Sequence, residues 1–105
     1  MKARHLIALA AALAVSSAAF ADDGEALFKK NSCGSCHALD KKSVGPALKK
    51  IAAKYKDDKG AQGRLEAKVR SGGSGSFGAM PMPTTPKTVS DGDIQAMVAW
   101  ILSQK

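Results

Sequence analysis

Cysteine occurs twice in this 105-residue chain, at Cys33 and Cys36, and His37 follows directly. The run Cys33-Gly34-Ser35-Cys36-His37 keeps two thiols and an imidazole together whatever the rest of the chain does. The fold must be built around that cluster.

Little chain remains to build it. Met1 to His5 carry Lys2 and Arg4, Leu6 to Val15 contain no polar residue, and Ala19-Phe20-Ala21 form an A-x-A site before Asp22 and Asp23. This is the three-part layout of a secretory signal peptide. Ten apolar residues span only about 15 Å as a helix against a hydrocarbon core of about 30 Å, so a membrane anchor is the poorer reading. Cleavage is expected after Ala21, giving a removed segment 1–21 and one exported domain, 22–105, outside the cytoplasm. No cysteine stands at the cleavage point to carry a lipid. Taking 21 residues from 105 leaves 84, and losing Lys2 and Arg4 lowers the net charge from +7 to +5. A soluble monomer without stable membrane insertion is expected.

A chain of that size buries a small fraction of its surface, and only Phe28, Tyr55, Phe77 and Trp100 supply aromatic bulk. One short-loop disulfide would add little stability. A prosthetic group with a large apolar body would complete the core.

The periodicity predicts an all-α fold of about four helices. Asp22 and Asp23 are capping candidates for a first helix running to Asn31. A second starts at Pro46, carries Leu48, Ile51, Ala52 and Tyr55 on one face, and stops at Lys59-Gly60. A third places Ala61, Leu65 and Val69 on one side and ends at Ser71-Gly72-Gly73. The last opens with Ser90 and Asp93 as a capping box and lines up Ile94, Met97, Val98, Ile101 and Leu102. Trp100 lies about 60° outside the Met97 edge of that stripe and should pack against another element. Ser71 to Thr88 shows no regular pattern. Its Phe77, Met80 and Met82, stiffened by Pro81, Pro83 and Pro86, indicate an ordered loop that covers something apolar.

Cys-x-x-Cys-His is the attachment signature of c-type haem: two thiols add across the porphyrin vinyl groups and the adjoining His reaches the iron. His37 is the sole histidine once His5 departs with the leader, and one haem needs one such ligand. A thioredoxin-like pair would require a βαβ pattern, which is missing. A structural zinc site normally needs four ligands, and three are present. A short disulfide would leave the missing core unexplained. A second axial ligand would come from the methionines. Met97 belongs to an apolar stripe, which leaves Met80 and Met82.

Leu27-Phe28-Lys29, the haem motif, Val44-Gly45-Pro46-Ala47, the Gly78-Ala79-Met80-Pro81-Met82-Pro83 loop and the ending Trp100-Ile101-Leu102-Ser103-Gln104-Lys105 together resemble the small bacterial class I cytochromes c of the c-551 (c8) type. The resemblance implies four helices wrapped around one covalent haem c, held through Cys33 and Cys36. His37 and Met82 are then the axial iron ligands, and the Pro46 carbonyl accepts from the imidazole. It also implies that Gly24 and Phe28 pack against Met97 and Trp100. Phe77 stands where the family commonly has Trp, so propionate contacts do not carry over. The stretch Thr84 to Thr88 is longer than in the relatives.

His/Met ligation fills both axial positions and favours ferrous iron, which makes a one-electron carrier between larger redox proteins of a respiratory chain, not an enzyme. The rivals are a haem enzyme or gas sensor with a vacant sixth position, and a dithiol oxidoreductase. Lys29, Lys30, Lys41, Lys42, Lys49 and Lys50 surround the motif in sequence and would steer partners with acidic docking faces. Export and the lack of any recognition motif argue against nucleic acid as a partner.

Overall fold

The computed structural model describes residues 23–105. The leader expected at 1–21, and Asp22, lie outside the described residues. Asp23 is already helical in α1, which runs over residues 23–30. A 3-10 turn, Cys33–Ser35, follows, then α2 (Leu48–Lys54), α3 (Ala61–Ser71) and α4 (Asp91–Leu102). Among the described residues the sole β pairing is an isolated antiparallel bridge between Gly73 and Met82. The all-α expectation holds.

Helix α2 is shorter than its apolar periodicity implies. Ala47 caps it with φ −59° and ψ 142°, so Pro46 stands two residues ahead of the first helical residue, Leu48, and before the cap. At the other end Tyr55 leaves helical geometry, and the Asp58 carboxylate accepts from the Gly60 N–H at 3.0 Å, forming a local turn that competes with a further helical turn. Two aspartates at a helix C-terminus would also oppose the dipole. Gly72, with φ 69°, ends α3 and donates its N–H to the Lys68 carbonyl at 2.7 Å. Ser90 caps α4 as its sequence suggests, its hydroxyl accepting from the Asp93 N–H at 3.1 Å.

Helix α4 is the spine, and α2 and α3 both pack on it. The core combines Phe28, Leu48, Ile51, Val89, Ile94, Met97 and Val98. Leu48, Ile94, Met97 and Val98 are fully buried, each contributing about 1.5–3 kcal/mol by removal from water. Helix α1 crosses α4 at Gly24, where a Cβ would collide with the Ala96 carbonyl oxygen and the Trp100 Cβ. The Phe28 and Trp100 rings meet with centroids 5.1 Å apart, tilted by 52°. The expected α1–α4 contact is therefore present: Gly24 lies against Ala96 and Trp100, Phe28 against Trp100, and Phe28 shares the buried core with Met97. Met97 turns into the core shared with α2, because 100° per residue separates its face from that of Ala96.

Candidate haem-binding site

The cysteine motif is folded by a change of backbone geometry at the end of α1. The Asn31 N–H and its side-chain Nδ2 both donate to the Leu27 carbonyl, at 3.0 and 2.9 Å. Ser32 then adopts φ 61°, the one positive φ outside glycine among the described residues, and sends the chain out of the helix axis. The amides of Cys36 and His37 both donate to the Cys33 carbonyl, at 3.2 and 3.1 Å. Two thiols and an imidazole are thus gathered on one tight turn. Both thiols are half-buried, and burial pushes the Cys33 thiol up from its ordinary value, a shift to which Cys36 adds and which a backbone hydrogen bond opposes.

His37 Nδ1 lies 2.8 Å from the Pro46 carbonyl oxygen. A carbonyl only accepts, so Nδ1 carries the proton and donates, and Nε2 keeps its lone pair for a metal. The segment that presents Pro46 is tied back to the motif by the Gly45 N–H, which donates to the Cys36 carbonyl at 2.7 Å. Gly45 itself touches the imidazole. A Cβ there would stand 2.5 Å from Cε1 and 2.9 Å from Nδ1 of His37.

Beside the motif opens a cleft of about 780 Å³. Phe28, Cys33, Cys36, His37, Leu48, Ile51, Leu65, Val69, Met97, Val98 and Ile101 line it, together with the 73–83 segment. That volume falls in the range of about 300–1,000 Å³ found for cofactor-sized ligands, and its walls are mainly hydrocarbon.

Met80 and Met82 both border the cleft, yet they differ in anchorage. Met82 is half-buried, and its backbone exchanges two hydrogen bonds with Gly73, at 2.8 and 2.9 Å. Met80 is 68% exposed. Earlier in the loop, Lys54 Nζ donates to the Ser76 carbonyl at 2.6 Å and lies 4.4 Å from the centre of the Phe77 ring, which meets Tyr55 edge-on at 6.5 Å. The loop is ordered by contacts that sequence reading did not foresee.

The lysines divide. Lys41, Lys42, Lys49 and Lys50 border the cleft, and Lys68 joins them from α3. Lys29 instead pairs with Glu25 along α1 at 3.2 Å, and neither it nor Lys30 reaches the cleft mouth. Lys49 is paired with Asp40 at 2.6 Å on the surface. Gly45, Lys54 and Lys68 were missed as parts of the site. Gly45 sat in view within Val44-Gly45-Pro46, whereas nothing local distinguishes Lys54 or Lys68 from other surface lysines.

A comparison with protein families matches the cytochrome c sequence model to residues 21–105. The chain belongs to the cytochrome c family. Cytochrome c-551 from Pseudomonas aeruginosa is 43% identical over 97 residues, which cover 92% of this chain and 91% of that protein. Cytochrome c-552 from Nitrosomonas europaea is 46% identical over 95 residues, covering 90% and 91%. The crystal structure of wild-type N. europaea cytochrome c552 superposes with a TM-score of 0.73 at 48% identity, over 77% of this chain and 99% of that one. The class 1 cytochrome MtoD from Sideroxydans lithotrophicus gives 0.69 at 32% identity, over 79% and 94%. As a class I cytochrome c of the c-551 type, the protein carries one covalently attached haem c. Its own residues fit that group: two thiols on one turn, one imidazole with Nε2 available, and an apolar cleft beside them.

Proposed function

We propose that this protein carries single electrons between larger redox proteins of a respiratory chain in the periplasm, with His37 and Met82 as the axial ligands of its haem iron. The observation that carries the reading is the pairing of His37 Nδ1 with the Pro46 carbonyl at 2.8 Å, which leaves the Nε2 lone pair available for a metal. The anchored, half-buried Met82 supports it from the other side of the sequence, since Met80 is 68% exposed and its backbone is not part of the Gly73 bridge. The haem supplies one-electron exchange between ferrous and ferric iron when bound.

The protein's part in this is to hold rather than to transform. Cys33 and Cys36 fix the cofactor covalently, Pro46 and Gly45 fix the imidazole plane, and the 73–83 segment borders the cleft with Met82 anchored in it. With His37 and Met82 both holding the haem iron, no position on it would remain for a substrate, which supports a carrier rather than an enzyme. Residues 1–21 act as a removed export signal, in keeping with a family match that begins at residue 21. Among the described residues no helix is long and apolar enough to cross a membrane. Lys41, Lys42, Lys50 and Lys68 around the cleft mouth favour a partner with an acidic docking face.

The visible spectrum of the purified holoprotein tests this reading. A low-spin spectrum that carbon monoxide leaves unchanged is expected. A ferrous form that binds the gas readily has a vacant sixth position and defeats the assignment.

A further inference from the structure

Arg70 lies in the last turn of α3, and its contacts all go to the chain that follows Met82. Its guanidinium donates to the Pro86 carbonyl at 2.9 Å and the Thr85 carbonyl at 3.4 Å through one nitrogen, and to the Val89 carbonyl at 2.7 Å and Asp91 Oδ1 at 2.8 Å through the other. Its own carbonyl accepts from the Thr85 N–H at 3.2 Å. Three backbone carbonyls, a carboxylate and an amide thus converge on one residue.

Met82 sits between two attachments to the same helix end. Ahead of them, Gly73, just past the α3 terminus, holds both backbone groups of Met82. Behind it, Arg70 holds Thr85, with only Pro83 and Thr84 between. Pro83 has its φ fixed by the ring, so little freedom remains in that link. The segment Thr84 to Thr88 would otherwise be a surface excursion with few contacts of its own, since Thr84, Pro86, Lys87 and Thr88 are exposed.

We propose that Arg70 is a positioning residue for Met82, setting how readily its sulfur leaves the iron; the proposal rests on Met82 being the axial ligand. Breaking the tether frees the return leg of the loop, so the detached form of Met82 gains conformations and competes better with the ligated form. The Asp91 pair is not the active element. Asp91 is 97% exposed, and an ion pair so placed contributes little, whereas the carbonyl contacts need the planar fork of an arginine. A lysine keeps the charge, but its donors radiate from one nitrogen, whereas the carbonyls here are met by two separate nitrogens of the planar guanidinium.

The test is a titration of the ferric holoprotein with imidazole, followed through the red charge-transfer band of methionine-ligated ferric haem, for wild type, Arg70→Lys, Arg70→Gln and Asp91→Asn. Both Arg70 variants should bind imidazole roughly tenfold more tightly than wild type, the equivalent of one charge-assisted hydrogen bond, and Asp91→Asn should match wild type. Amide hydrogen exchange at Met82 should accelerate in the Arg70 variants while the middle of α4 keeps its protection. Wild-type imidazole affinity in Arg70→Lys, or an Asp91→Asn variant that binds imidazole as tightly as the Arg70 ones, overturns the proposal. A wild-type protein without the band, or a Met82→Ala variant that retains it, overturns the ligand assignment instead.

Discussion

The imidazole of His37 and the carbonyl of Pro46 meet at 2.8 Å across nine residues of chain, with Gly45 pressed against the same ring. The geometry leaves the ring one orientation. Nδ1 faces the carbonyl, and a side chain at position 45 would occupy space the ring already fills.

Gly45→Ala should therefore act on the imidazole rather than on the backbone, because Gly45 is not in a positive-φ conformation. Its new methyl group would force the ring or the 43–46 segment to shift, at about 1–3 kcal/mol. Guanidinium unfolding of the holoprotein should show the loss, and the reduction potential should move as the His37 hydrogen bond lengthens. An unchanged midpoint and potential would mean that the ring has room to yield.

The two loop methionines should behave oppositely. Met82→Ala should remove the ferric charge-transfer band, lower the potential and admit carbon monoxide to the ferrous form. Met80→Ala, at a side chain 68% exposed, should leave all three as they are and change stability by less than about 0.5 kcal/mol. Electronic spectra of the two ferric variants separate the roles, and a band lost from the Met80 variant alone would reverse them.

Two glycines should respond to alanine with opposite signs. At Gly24 the added Cβ meets the Ala96 carbonyl and the Trp100 Cβ, neither of which is the far end of a flexible side chain, so the α1–α4 crossing must open. A drop in Tm of about 10 °C or more follows from overpacking of about 2–3 kcal/mol in a domain this small. At Gly63, inside α3, a Cβ meets nothing within 4 Å, and alanine should raise stability by about 0.5–1 kcal/mol. Thermal unfolding of both variants checks the pair.

Electron exchange with an anionic redox protein should slow as salt rises through 0.1 M, where the Debye length is about 10 Å. Lys50→Gln and Lys68→Gln, at the cleft mouth, should flatten that dependence more than Lys30→Gln, whose side chain does not border the cleft. Equal effects from all three would point to net charge instead of a docking face.

The part of this protein written in consecutive residues was open to sequence reading. Cys33, Cys36 and His37 stay together because the chain joins them, and α3 and α4 follow from apolar spacing and a Ser90 cap that act within a few residues of themselves. The end of α2 is also set locally, by the Gly60 N–H donating to Asp58, but apolar periodicity does not register such a bond. Tertiary structure decided the rest. Gly24 faces Ala96 and Trp100 rather than Met97 because of how α1 crosses α4. The anchoring of Met82 rests on the backbone of Gly73, and the following segment on Arg70 reaching carbonyls 15 to 19 residues away. Every residue owns a carbonyl, so side-chain identity gives no sign of which ones a distant arginine or lysine will find; only the packing of α3 against α4 brings them within reach.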